Sequence, residues 1–247
     1  GGGRVLVMID PPTSFANLSA FLASHGVQLG NNLVIDPEQG YNGQPAYPMI
    51  ANFSTSSPIT QGYNVECFFN VSRSLAATNK PPAGIKTEVI AKTMDGSWAL
   101  PDVDKGLPKG RISFDPAKDA KGPLGVAMSV VVTPAASPSS SPSASPSASP
   151  AATPKEGRMV VYGDSGFAGD YGNMFLVAGN SDLFLRSVDW LAAEGASFTI
   201  PPRPPMESKP LTMTPPEKYR IMWISMVLIP GTVAMLGIVV FMLYKPN

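Results

Sequence analysis

The chain carries 23 consecutive residues without a charge, 221–243 (IMWISMVLIPGTVAMLGIVVFML), and no other feature limits its architecture so sharply. A helix of that length rises about 34 Å at ~1.5 Å per residue, against a hydrocarbon thickness of ~30 Å, so the run is expected to cross a bilayer with slight tilt. Tyr219, Trp223 and Tyr244 fall at interfacial depth, and Arg220 and Lys245 bracket the run with charges that favour headgroups. Pro230-Gly231 at the centre is expected to kink it, which lipid-embedded helices tolerate better than soluble ones. Gly231, Ala234 and Gly237 recur at intervals of three without forming a GxxxG pattern. Just upstream, residues 201–216 hold seven prolines in sixteen and read as a stiff, extended spacer.

Setting aside the anchor and two Pro-rich stretches leaves roughly 170 residues, enough for one ordinary domain. Eighteen basic residues balance eighteen acidic ones, with no long run of either sign, which excludes the electrostatic footprint of a nucleic-acid binder. A single cysteine, Cys67, excludes an intrachain disulfide and a multi-cysteine metal cluster. A single histidine, His25, excludes the paired histidines of many zinc sites. No cofactor is expected. The chain opens at Gly1 almost directly into an apolar run, so it reads as a fragment.

Residues 4–9 (RVLVMI) form that run, which predicts a strand buried on both faces in a parallel sheet. Helical spacing follows, with Phe15, Leu18, Phe21 and Leu22 on one face and Gly26 where a left-handed cap is usual. A second apolar run, 33–35, completes the order strand, helix, strand, the βαβ unit of a right-handed parallel sheet. Residues 38–57 show no period and read as a long surface loop. Further strands are expected at 65–69, 88–91, 126–132, 158–162 and 196–200, and a helix at 181–194, where Leu183, Phe184, Val188 and Leu191 share a face. The fold class expected is therefore α/β, a mainly parallel sheet flanked by helices. Every residue of 133–154 is Thr, Pro, Ala or Ser, a composition with nothing to bury that reads as disordered and, taken alone, as a linker between domains.

Candidate chemistry is sparse. Cys67 lies within an apolar strand, lacking the exposed, activated setting of a nucleophile. His25 ends a helix, where histidine commonly meets the helix dipole. Gly163-Asp164-Ser165-Gly166 follows a strand but does not match the Gly-x-Ser-x-Gly elbow. Asp10, Asp36 and Asp164 each come directly after a predicted strand. In a parallel sheet they would line the carboxyl edge, where α/β folds bind ligands, and with Ser165 they make the candidate ligand-binding set. Aspartate at strand ends is also ordinary turn chemistry. Neither catalysis nor a metal site is expected. Asn17, Asn52 and Asn70 head glycosylation sequons, which matter only in a eukaryotic secretory setting.

Gly2-Gly-Arg-Val-Leu-Val-Met-Ile-Asp-Pro-Pro12, Leu29-Gly-Asn-Asn-Leu-Val-Ile-Asp-Pro37, Gly157-Arg-Met-Val-Val-Tyr-Gly-Asp-Ser165 and Gly179-Asn-Ser-Asp-Leu-Phe-Leu-Arg-Ser-Val-Asp-Trp-Leu-Ala192, in that order, resemble the GldG-like auxiliary components of ABC-type transporters, first associated with gliding motility. The resemblance spans nearly the whole chain, membrane helix included. It implies a domain similar to class I glutamine amidotransferases, flavodoxin-like in outline, over residues 1–200, outside the bacterial inner membrane between two membrane helices, the upstream one missing here. Family-like strands lie on both sides of 133–154, which makes that stretch a loop insertion within one domain. Amidotransferases place a nucleophilic cysteine at an elbow after a strand; none occurs here, so the resemblance argues against glutaminase activity. It implies ABC permease and ATPase subunits as partners, beside the lipid bilayer. A count of flanking charges, Lys218 and Arg220 against Lys245, puts the domain in the cytoplasm by one charge, and the resemblance outweighs that margin. The expected function is a non-catalytic, membrane-anchored accessory subunit contacting permease or cargo. The alternatives are a ligand-binding or sensing module and a hydrolase or amidotransferase-like enzyme.

Overall fold

The computed structural model describes residues 2–11, 15–101, 113–134, 155–169, 178–193, 219–220 and 222–244. They fall into two compact units, Gly1–Arg203 and Pro204–Asn247.

The first unit runs β1 (Arg4–Met8), α1 (Ala16–Ser24), β2 (Val27–Leu29), β3 (Asn32–Ile35), β4 (Met49–Phe53), β5 (Cys67–Phe68), β6 (Leu75–Ala77), β7 (Ile85–Thr93), β8 (Trp98–Pro101), β9 (Ala120–Lys121), β10 (Gly125–Val132), β11 (Gly157–Tyr162) and α2 (Ala178–Ala192). Six strands make the main sheet in the order β1-β11-β10-β7-β4-β5. Among its pairs, β1 with β11 is parallel; β11 with β10, β10 with β7, β7 with β4 and β4 with β5 are antiparallel. The antiparallel ribbons β2-β6 and β3-β8-β9 are hydrogen-bonded as separate sheets.

This overturns the expected parallel sheet flanked by helices, and with it the amidotransferase-like and flavodoxin-like outline: the sheet is mixed and mostly antiparallel. The misleading cue was the continuous apolar run. Such a run reports that both faces of a strand are covered, and says nothing of its neighbours' direction. β11 illustrates this. Val160 and Tyr162 enter one core with Phe167, Leu183 and Leu191, while Met159 and Val161 enter a second with Leu22, Val27 and Met128. Both faces are dry, yet one neighbour runs parallel and the other antiparallel. The βαβ reading fails likewise, because β3 pairs antiparallel with β8 in another sheet. Residues 38–57, expected as loop, contain β4, a member of the main sheet.

Helix α1 buries Leu22 completely but leaves Phe15 and Phe21 exposed, and Gly26 after it adopts φ +82°, the left-handed cap its position suggested. A strand pair frames the Ser/Pro-rich stretch: Val132 pairs with Gly157, so residues 133–156 connect adjacent antiparallel strands. Residues 135–154, the spacer at 201–216 and the strand expected at 196–200 lie outside the described residues.

In the second unit, one helical run, Ile224–Leu243, is long and apolar enough to cross a membrane, with mean hydropathy 2.5 and no part buried. It opens with a π turn (Ile224–Leu228) and continues as α3 (Ile229–Leu243), Pro230 standing in the first turn of α3. Proline has no amide hydrogen to complete an α-helical bond, and a locally widened turn accommodates that loss. Thr232 Oγ donates to the Ile229 carbonyl at 2.8 Å, so its hydroxyl is satisfied within the helix.

Candidate functional site at the strand ends

Because β1 and β11 run parallel with Met8 opposite Tyr162, their carboxyl ends lie side by side, and two residues further on each chain supplies an aspartate. Asp10, half-buried, accepts from the Ser165 amide through Oδ1 at 2.5 Å and from the Ser165 hydroxyl through Oδ2 at 2.6 Å. Asp164, fully buried, accepts from the Asn70 amide at 2.5 Å and from the Gly166 amide at 2.6 Å.

The 69–74 segment, between β5 and β6, closes the cluster. Arg73 is buried; its amide donates to the Gly163 carbonyl at 2.8 Å, and its Nη2 donates to the Asp10 backbone carbonyl at 2.9 Å. The approach is close enough to require glycine at 163, since a Cβ there would lie 2.2 Å from the Arg73 carbonyl oxygen. The same segment reaches β3, because the Val34 amide donates to the Ser72 carbonyl at 2.8 Å. Val71 within it holds φ +60°, the left-handed region that a β-branched residue rarely occupies.

Burial pushes the Asp164 carboxyl up to about 7; the amides of Asn70, Gly166 and Phe167 pull it down and the Asp10 charge adds to the rise. Burial lowers Arg73, and Asp10 opposes that. Two buried side-chain oxygens nearby, Asn70 Oδ1 and Ser72 Oγ, have no hydrogen-bond partner among the described residues.

Of the four residues singled out from sequence, Asp10, Asp164 and Ser165 come together. Asp36 does not join them through its carboxylate, whose Oδ1 accepts from the amides of Glu38 (3.2 Å) and Gln39 (3.0 Å) in a local turn. Asn70 and Arg73 were missed. They sit in a segment without periodicity, and only the isolated Arg between two serines in Ser72-Arg-Ser74 hinted at a buried cation needing a partner.

Chemically, the cluster offers hydrogen-bonding capacity and a carboxyl that titrates near neutrality. Ser165 gives its proton to a carboxylate, not to an imidazole. His25 lies elsewhere, at the end of α1, its Nδ1 2.8 Å from the Phe21 carbonyl, in a groove with Gly3, Val5 and Arg158 near the amino ends of β1 and β11. Cys67 is fully buried 3.2 Å from the Tyr63 hydroxyl, and burial pushes its thiol up to about 12, far from the thiolate a nucleophile needs. A polar groove of about 560 Å³, lined by Glu38, Gln39, Asn52, Phe53 and Asp95 among others, opens beside β4. Among the described residues no group of three or more His, Cys, Asp or Glu is placed to hold a metal.

No family model matches the chain, and no curated protein matches it. Three solved chains do. One, titled "mmIFT52 N-terminal domain", is 12% identical with a TM-score of 0.46, over 79% of this chain and 67% of that chain. A likeness of that degree bears on neither fold nor function.

Proposed function

We propose that the chain is a non-catalytic, membrane-anchored accessory subunit of an ABC-type transport system, its folded unit lying outside a bacterial inner membrane and contacting permease or cargo. The observation that carries the reading is the wholly exposed apolar run Ile224–Leu243, in one chain with a unit whose strand-end acids bond to the protein's own amides and hydroxyls. The GldG-like order of segments supplies the transport context. The test is copurification of the full chain from native membranes after crosslinking. Recovery of an ABC permease and its ATPase supports the proposal; a chain released by alkaline carbonate, or recovered without either subunit, overturns it.

One observation favours a second reading, a ligand-binding or sensing module. The polar groove beside β4 has a volume typical of small-molecule sites, with two carboxylates, two amides and an aromatic ring. Saturable binding of a small polar ligand, abolished by Glu38→Ala and Asp95→Ala together, would decide for it.

A further inference from the structure

The carboxyl-end cluster contains a donor and acceptor mismatch that one proton would resolve. Asp164 faces amide donors from Asn70 and Gly166, which suit an ionised carboxylate. Beside it stands the Asn70 side-chain oxygen, a buried acceptor without a donor among the described residues. Both side chains crowd one point: a Cβ on Gly166 would lie 2.9 Å from Asn70 Nδ2 and 3.1 Å from Asp164 Oδ1. Amide oxygen and nitrogen exchange places by a simple flip, which would set the Asn70 oxygen 2.9 Å from that same point.

We propose that Asp164 and Asn70 form a proton-operated latch, closed on the Asn70 and Gly166 amides when Asp164 is ionised and rearranged onto the Asn70 side-chain oxygen when Asp164 takes up a proton from solvent. The segment that must yield is already strained, since Val71 follows Asn70 directly at φ +60°. It is also a bridge between sheets. Ser72 accepts from Val34 on β3 and Arg73 donates to Gly163 after β11, so a shift at Asn70 reaches the three-stranded sheet and the main sheet together.

The charged groups facing Asp164 set the direction. Asp10, from the end of β1, disfavours the ionised form. Arg73, from the 69–74 segment, attracts Asp10 and bonds to its backbone carbonyl. Asn180 on α2 is neutral and is held by Phe68 and Phe167. Titration near neutrality follows from burial, with Asp10 adding to the rise.

The test is hydrogen exchange of the full chain in detergent between pH 5 and 9, corrected for intrinsic rates and followed in peptides covering 67–74 and 163–169. The wild type is expected to show a step in protection of both peptides, centred near pH 7. Asp164→Asn removes the step. Asp10→Asn, by removing a like charge, and Asn70→Ala, by removing the acceptor of the protonated form, each move its midpoint down by about half a unit to one unit. Absence of a step in the wild type, or a step that survives Asp164→Asn, overturns the latch. If Asp164→Asn does not fold, the midpoints of the other two variants decide: unmoved midpoints overturn it.

Discussion

A buried carboxyl raised toward neutrality has a thermodynamic signature as well as a structural one. The folded state holds the Asp164 proton more tightly than the unfolded chain does, so its contribution to stability is present below the unfolded value of 3.8 and is lost as pH rises through about 7. The loss is on the order of 4 kcal/mol if the whole rise is expressed. Denaturant melts at pH 4.5 and 8 should therefore show a fall in stability that Asp164→Asn abolishes, and an unchanged slope in that variant would place the titration elsewhere. Cys67 gives a second expectation at this scale. Enclosed by Tyr63 and α2, it should resist a thiol reagent at pH 7.5 in the folded chain and react within minutes once denatured. Gly179, in the first turn of α2, meets the backbone just before β5 so closely that an added Cβ would lie 2.1 Å from the Glu66 carbonyl oxygen. Gly179→Ala is expected to cost about 1–3 kcal/mol in the same melts.

At the scale of elements, apolar runs were legible whatever their length, β3 and β5 included, whereas β7 was seen only in its middle, 88–91, and strands without a run were not seen. β1, β10, β11 and α2 each bury enough apolar surface to impose a pattern on the sequence, and each was found within a few residues. β4 was missed because Met49-Ile-Ala-Asn-Phe53 alternates poorly, only Ile50 being fully buried, and because Tyr, Gly and Pro surround it. β6 and β9 hold three and two residues, too few for any period to emerge. Strand direction left no trace at all. It is decided by connections, and the sequence offers covered faces, not pairings. For the same reason the strand-end aspartates come side by side where neighbours happen to be parallel, at Asp10 and Asp164, and Asp36 stands away from them because its strand belongs to another sheet. The apolar run of the second unit carries its own prediction. Leu236→Arg, near the middle of Ile224–Leu243, should make insertion less favourable by about 3 kcal/mol, read as release of the chain by alkaline carbonate.

Taken whole, the first unit is organised around a sheet whose two faces are both dry, with one cluster on the α2 side and another on the α1 side. The connection between β10 and β11, residues 133–156, is anchored at both ends by the Val132 to Gly157 pair. The cost of closing a connection grows only with the logarithm of its length. Removing residues 137–152 should therefore change stability by less than about 1 kcal/mol, measured as the denaturation midpoint of the full chain in detergent. That pairing makes the stretch a parenthesis in the fold. Whatever is written inside it opens and closes at the same address, so sequence can be lengthened, shortened or exchanged there without any strand learning of it. A fluorescent protein or affinity tag placed between 143 and 146 is expected to report on the folded unit while leaving its architecture untouched.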